Sequence, residues 1–270
     1  MFPEEHVIYR YKYLAFNEGS LKVITDSTIK YTCPLDFNDP FDCLPYYDAS
    51  GLKNLHKTRP DLLAQAAHAR GLRGARKIIE RPRMIADMRR ALEEGEFAKG
   101  MLREVGVVSL SKNPRSILMW SHYAQFHQGF VIEFRIPILG LREDLLLAEQ
   151  RLLPFPVKYR KSRPHVNVAL PQNSHFLDDI LLTKSVEWRH EEEERVLDKD
   201  RGPGIHKYRR NEILSGVIAG MRMREDNRAH LESVVRDVTA ECENKVSLYT
   251  AIPSTNKYEL SIPGLEREPA

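Results

Sequence analysis

The sequence has few cysteines, no long apolar run and no glycine-rich nucleotide loop. Cys33, Cys43 and Cys242 stand apart in 270 residues, so neither a disulfide framework nor a zinc knuckle is expected. No stretch approaches the roughly 18 consecutive apolar residues of a membrane span, and the charged start does not look like a secretion signal. No GxGxxG follows a predicted strand, and no GxSxG elbow occurs. We therefore expect a cytoplasmic protein without membrane contact.

Hydrophobic residues make up 42% of the chain, which is enough for a sizeable core. Short predicted strands alternate irregularly with helices, and this pattern favours an α+β fold over regular βαβ winding. We predict a single domain over residues 1–270, built on one mixed, largely antiparallel sheet. A helical insertion is expected at about 52–104, where the composition is strongly helical.

The insertion carries a basic block between Lys53 and Arg90, with eleven lysines and arginines against three acids. Such a block attracts nucleic acid or an acidic protein. It contains no Phe, Tyr or Trp on which bases could stack, so a solvated basic surface is the other interpretation.

The stretch "VEWRHEEEERVLD", residues 186–198, contains four consecutive glutamates. If 186–197 is a strand, its period of two places Glu191, Glu193 and Arg195 on one face, and Glu192 and Glu194 on the other. Two carboxylates on one face raise each other's proton affinity, and an adjacent guanidinium lowers it again. The first face suits general-base work or holding a ribose hydroxyl. The alternative is an edge strand kept soluble by charge.

A second group of candidates lies in "MWSHYAQFHQGF", which predicts part of a helix over 116–129. On that helix Trp120, Tyr123 and His127 form one stripe that could stack a planar ring, with His122 near a second stripe. His122 and His127 are five residues apart, which is a poor spacing for one zinc ion. An aromatic core is the competing interpretation.

Two further features are weaker. In "FNDPFD", Asn38 and Asp39 are turn formers before Pro40, and they would be polar groups at the rim of a site. Glu133 lies in the predicted strand 130–136, either as a third carboxylate of the site or as an exposed position.

Several segments together resemble the prokaryotic family called domain of unknown function 2971. They are "IYRYKYL", "PLDFNDPFDC", "VVSLSKNPRSILMWSHYAQFHQGFVIEF", "TKSVEWRHEEEERVL" and "ILSGVIAG". The family's KxxxWxxExExR motif falls on Lys184, Trp188, Glu191, Glu193 and Arg195. The resemblance thus selects Glu191 and Glu193 over Glu192 and Glu194, but it implies no reaction.

A more distant likeness connects the order of motifs to ADP-ribosyltransferases. It implies NAD as substrate, with Glu193 as the catalytic carboxylate and Glu191 orienting the acceptor. Arg10 would meet the pyrophosphate, Tyr123 would stack on the nicotinamide, and Tyr11 would lie on the same first strand. No bound metal is expected under this hypothesis.

Three functions therefore stay open. The first is an NAD-consuming ADP-ribosyltransferase-like enzyme, of the kind used as a toxin or in defence against phage. The second is a metal-dependent nuclease or hydrolase, with Glu191, Glu193 and Asp39 as oxygen ligands and the basic block holding nucleic acid. The third is a non-catalytic module that senses or binds a ligand in the same site.

Overall fold

A computed structural model of the protein describes residues 7–138, 150–170, 175–242 and 245–266. The chain divides into two units: the first combines 1–32, 106–157 and 187–270, and the second combines 33–105 and 158–186. Strands and helices together confirm the predicted α+β class. The single domain predicted for residues 1–270 includes segments outside the described residues and stays a prediction.

In chain order the strands are β1 Val7–Leu14, β2 Thr28–Tyr31, β3 Tyr46–Asp48, β4 Gly106–Ser111, β5 Phe130–Pro137, β6 Phe155–Pro156, β7 Lys158–Arg160, β8 His165–Asn167, β9 Thr183–Ser185, β10 Glu193–Asp198, β11 Gly204–Lys207, β12 Leu214–Ala219, β13 Ser247–Thr250, β14 Ile252–Pro253 and β15 Leu260–Ser261. The α-helices are α1 Glu18–Thr25, α2 Leu55–Thr58, α3 Pro60–Ala69, α4 Arg76–Ile79, α5 Arg81–Glu93, α6 Glu96–Leu102, α7 Ile117–Tyr123, α8 Phe176–Leu181, α9 Arg210–Ile213 and α10 Glu225–Thr239. Within the described ranges, 3₁₀ helices cover Pro34–Asp36, Ser50–Asn54 and Val186–Glu191.

The first unit is built on a seven-stranded sheet in the order β13-β12-β5-β1-β4-β10-β6. Every neighbouring pair is antiparallel except β12 with β13, so the predicted mixed and largely antiparallel sheet is confirmed. Strand β1 lies at the centre and pairs with β5 along its whole length, from Val7 opposite Pro137 to Leu14 opposite Phe130.

Both faces of this sheet are covered by apolar side chains. On one face, residues such as Leu110, Ile132 and Phe134 form a core with buried residues of α1 and α10. On the other face, Tyr13 and Val131 pack with Met119 and Trp120 of α7 and with residues around β15. Fully burying one such side chain contributes about 1.5–3 kcal/mol. The sheet is therefore fixed from both sides, and polar residues within it need partners.

The second unit contains helices α2 to α6 and α8 with two small parallel strand pairs, β3 with β8 and β7 with β9. The helices between residues 50 and 102 confirm the helical character predicted for about 52–104. Proline begins α3 at Pro60, where its missing N–H has no helical partner to lose. The unit also includes 33–49 and 158–186, which the sequence did not connect with these helices. No helix in the described ranges is long and apolar enough to cross a membrane.

Candidate functional site

The glutamate run is only partly a strand. Strand β10 begins at Glu193, whereas Val186–Glu191 forms a 3₁₀ helix and Glu192 is left-handed, with a φ of 46°. The strand predicted from residue 186 is thus wrong up to Glu192, because the left-handed residue breaks the period of two. The shared face of Glu193 and Arg195 is confirmed, since both lie within β10.

Five adjacent strands place polar residues or glycine directly opposite one another. Glu193 of β10 pairs with Ser111 of β4, Ser111 with Tyr11 of β1, Tyr11 with Glu133 of β5, and Glu133 with Gly216 of β12. Residues directly opposite in a sheet point to the same face. We call these five residues the polar row. With strands about 4.8 Å apart, the row spans about 19 Å, and its four side chains are all buried.

At one end of the polar row, Arg195 holds Glu193. The Arg195 Nε lies 2.9 Å from Glu193 Oε1, and Nη2 lies 3.0 Å from Oε2. Arg195 is completely buried and Glu193 is 5% exposed. This two-bond pairing compensates the buried charge and fixes the direction of the carboxylate.

Further along the row, Glu133 accepts two hydroxyl groups. Tyr11 Oη donates to Glu133 Oε2 at 3.2 Å, and Ser215 Oγ donates to Oε1 at 2.8 Å. A Cβ added at Gly216 would lie 3.4 Å from Glu133 Oε1 and 3.0 Å from the Tyr249 ring, so glycine keeps space open beside the carboxylate. Glu133 is completely buried, which overturns the interpretation as an exposed position.

Glu191 reaches the polar row from the 3₁₀ helix. Tyr123 Oη, at the end of α7, donates to Glu191 Oε1 at 2.6 Å. The Ser111 hydroxyl donates to the Glu191 carbonyl at 2.7 Å. Glu191 is 3% exposed. The structure therefore brings Tyr11, Tyr123, Glu191, Glu193 and Arg195 into one polar cluster, in which Glu191 lies on the 3₁₀ helix and not on the predicted strand. Their role as site residues stays a prediction.

Tyr123 of this cluster has three further rings near it, and we call the four rings the aromatic rim: His122, Tyr123, Trp188 and His190. The His122 ring centre lies 6.1 Å from Tyr123, 6.4 Å from Trp188 and 6.4 Å from His190, and the Trp188 and His190 centres are 5.9 Å apart. His122 is exposed, and Trp188 and His190 are half-buried. The Nε2 atom of His190 is buried without a hydrogen-bond partner among the described residues. Neither Trp188 nor His190 is among the site residues predicted from the sequence. The motif position of Trp188 is a usable signal, whereas no sequence feature marks His190.

Trp120 and His127 belong to the core instead. Helix α7 ends at Tyr123, so the helix predicted to reach Gly129 is wrong, and Gln125, Phe126 and His127 are left-handed, with φ of 50°, 55° and 68°. Trp120 is completely buried, with its Nε1 donating to Pro114 O at 2.9 Å. The His127 ring stacks on it at 6.1 Å and 11°.

The buried His127 has few polar contacts. Its Nε2 lies 3.1 Å from Ser121 Oγ, while its Nδ1 has no hydrogen-bond partner among the described residues. Burial lowers the pKa of His127, and the charge of Arg222 acts in the same direction. The neutral ring is thus favoured, which suits its packing on Trp120.

Arg10 lies on the face of β1 opposite to Tyr11. Its Nε is 2.5 Å from Glu194 Oε2, and its Nη2 is 3.1 Å from Oε1. Glu194, whose face was predicted to be either solvated or packed, is buried in this ion pair, with Lys112 Nζ at 3.5 Å. We therefore leave Arg10 out of the polar cluster, because strand alternation directs it away from Glu193.

Lys12 shares the face of Arg10. Its Nζ donates to Ser109 O at 2.9 Å. Burial lowers the pKa of Lys12 to about 8, although Glu193 and Glu191 attract its charge and act in the opposite direction. An amine that loses its proton near neutral pH can take part in proton transfer.

Asn38 and Asp39 belong to the second unit. Asp39 forms the predicted turn: its Oδ1 accepts from Phe41 N at 2.9 Å and its carbonyl from Asp42 N at 3.1 Å. Asn38 is exposed. Their role at the rim of a site stays a prediction.

Among the described residues, no group of three or more His, Cys, Asp and Glu side chains is arranged to hold a metal ion. The three cysteines all lie in the described part of the chain and form no disulfide.

Comparisons with models of known protein families, with curated proteins and with solved structures found no match to this chain. Membership of the family called domain of unknown function 2971 therefore stays a prediction.

Proposed function

We propose that the protein cleaves the bond between nicotinamide and ribose in NAD, as an ADP-ribosyltransferase or an NAD glycohydrolase. One observation carries the proposal: Tyr123 donates its hydroxyl to Glu191 while its ring belongs to the aromatic rim. Carboxylates and aromatic rings therefore lie side by side. Cleavage of NAD requires both, a carboxylate near the ribose and rings against the planar nicotinamide.

The chemistry requires a carboxylate near the ribose. When the bond from C1′ to the nicotinamide nitrogen breaks, positive charge develops on the ribose, as in other glycoside cleavage. A carboxylate that is already oriented stabilises that charge without reorganising in the transition state. Glu193 suits this role because Arg195 fixes its direction, and Glu191 with Tyr123 suits a ribose hydroxyl or the acceptor.

The planar ring of the substrate is assigned to the aromatic rim. Trp120 is buried and bonded within the core. His122, Trp188 and His190 instead present rings at or near the surface. Their ring centres are about 6 Å apart, within the range at which rings pack offset or edge to face.

Nicotinamide release from NAD by the purified protein tests the proposal. We expect Glu193→Gln to lower the rate by at least about a hundredfold, the usual scale for losing one oriented electrostatic contact, and Glu191→Gln to lower it less. Glu192→Gln is the matched control, since Glu192 is in the same run but bonds Asn113 instead. The assay includes cell lysate and nucleic acid as acceptors. If the wild-type protein releases no nicotinamide under any of these conditions, the proposal fails.

A second candidate is ligand binding without turnover. It is favoured by the fact that Glu193 and Glu191 already have donors, Arg195 and Tyr123, so both carboxylates are satisfied without substrate. Binding of ADP-ribose by the wild-type protein, weakened by Trp188→Ala and without nicotinamide release from NAD, would support this role over the enzyme.

A further inference from the structure

The helical second unit contains a cavity of about 670 Å³. Its walls are mostly apolar and come from separate parts of this unit, including Leu55, Leu62, Leu92, Phe97, Val166 and Phe176. Cavities of about 300–1,000 Å³ with predominantly apolar walls are typical of sites for small molecules. The volume and the apolar lining therefore match a site for a small molecule.

The charged groups of the lining neutralise each other. Arg59 donates to Asp61 in a two-sided pair, with Nε at 2.9 Å from Oδ1 and Nη2 at 2.6 Å from Oδ2. The remaining Nη1 of Arg59 donates to Leu170 O at 3.3 Å. Because these donors of the guanidinium are engaged, the cavity offers no excess positive charge to an anionic ligand.

One neutral polar group completes the lining. The Thr58 hydroxyl donates to Asn54 O at 3.4 Å, and its oxygen keeps the capacity to accept a hydrogen bond. A ligand with a hydrocarbon body and one hydroxyl or amine N–H would pack against the apolar walls and donate a hydrogen bond to the Thr58 oxygen.

We propose that the second unit binds a small, uncharged, mainly hydrocarbon molecule in this cavity. The function is separate from NAD cleavage, because all of the lining residues belong to the second unit. The proposal therefore stands or fails independently of the polar cluster.

Fluorescence titration with N-phenyl-1-naphthylamine, an uncharged probe that brightens on leaving water, tests the proposal on the full chain. We expect saturable binding that 1-decanol displaces and that the same concentration of decanoate does not. Saturating 1-decanol should also raise the thermal unfolding midpoint, because a ligand that binds only the folded state stabilises it. Absence of saturable binding, or equal displacement by decanoate, overturns the proposal.

Two substitutions test whether the probe binds in this cavity. Ala91→Trp adds a large side chain to the wall of the cavity and should weaken the probe by at least about tenfold. Gln65→Trp, on an exposed position of α3 outside the lining, should leave it unchanged. If circular dichroism shows that Ala91→Trp does not fold, Met88→Trp takes its place, since Met88 also lines the cavity. Equal weakening by Gln65→Trp contradicts the proposed site.

Discussion

At the scale of single residues, the first unit buries charges on both faces of one sheet. Arg195 and Glu193 pair on one face, and Arg10 and Glu194 pair on the other. Paired buried charges are costly to separate, because the residue that remains has neither water nor a partner. These pairs thus make the sheet sensitive to single changes of charge.

The pair of Arg10 and Glu194 provides a direct stability test. We expect Glu194→Gln to lower the free energy of unfolding by about 3–5 kcal/mol, because Arg10 then loses its buried counter-charge. Urea unfolding measures the change. Asp226→Asn is the matched control, since Asp226 forms an exposed pair with Arg224, and exposed pairs contribute only about 0–1 kcal/mol. Similar losses in the two variants would contradict the argument.

Lys12 predicts a stability that depends on pH. Its folded pKa of about 8 lies below the ordinary value of 10.5. Between these values the unfolded chain binds a proton that the folded protein does not, so stability rises as pH increases from about 8 to 10.5. The rise is at most on the order of 3 kcal/mol, and solvent reduces it because the side chain is half-buried.

The difference between wild type and Lys12→Met isolates this contribution. We expect the wild type to gain stability relative to Lys12→Met over that pH range in urea unfolding. Lys22→Met, an exposed position on α1, should show no such difference. Parallel curves for wild type and Lys12→Met would show that the pKa of Lys12 is not lowered.

Local alternation allowed part of the site to be predicted. A strand's period of two places Glu193 and Arg195 on one face, and this assignment agrees with the structure. The burial of Glu194 could not be predicted, because its partner Arg10 lies 184 residues away in the sequence. Contacts between distant segments have no local pattern.

At the scale of elements, the left-handed turn after α7 decides which aromatics reach the surface. It is held by backbone contacts: Gly129 N donates to Ala124 O at 2.8 Å, and Arg222 N donates to His127 O at 3.0 Å. The side-chain pattern continues to Gly129 and therefore predicts a longer helix. The tertiary contacts of His127 override that pattern, and a single sequence does not reveal them.

Two glycines test this turn. A Cβ at Gly129 would lie 2.1 Å from Leu14 O, so we expect Gly129→Ala to lower the unfolding midpoint strongly, with a loss of more than about 3 kcal/mol. A Cβ added at Gly100, in α6, has no described atom within 4 Å apart from its chain neighbours and the backbone of its own helix. Gly100→Ala should therefore stabilise by about 0.5–1 kcal/mol. Thermal unfolding of both variants measures the effects. A change of the unfolding midpoint in the same direction in both variants would contradict the assigned geometry.

At the scale of the whole molecule, a block of positive charge lies in the second unit. Of the eleven basic residues between Lys53 and Arg90, the structure pairs Arg59 with Asp61, and Arg70 and Arg90 with Asp87. Several others, including Arg73, Arg76 and Lys77, are exposed.

This charge predicts salt-sensitive binding of polyanions. We expect a single-stranded oligonucleotide to bind at low salt, with a log–log salt slope that becomes about 2 units shallower when Arg73, Arg76 and Lys77 are all changed to Gln. Fluorescence anisotropy measures the slope. Changing Lys22, Arg224 and Lys257, which are exposed in the first unit, to Gln should not alter it. Binding that is absent at low salt would leave the block as a solvated surface.

The α+β class could be predicted because strands and helices have local signals. The division into two units could not, since it depends on pairings such as β3 with β8, which join Tyr46 to His165. These two strands are more than a hundred residues apart, and no local sequence pattern indicates that they pair.

One of the two edge strands of the large sheet, β6, has a consequence for the protein in concentrated solution. Strand β6 has only two residues, and one of them is Pro156, which has no N–H to donate. A short edge with a proline gives an incoming strand of another molecule little to pair with. At this edge the protein is therefore protected against growing into ordered fibrils, and replacing Pro156 would remove part of that protection.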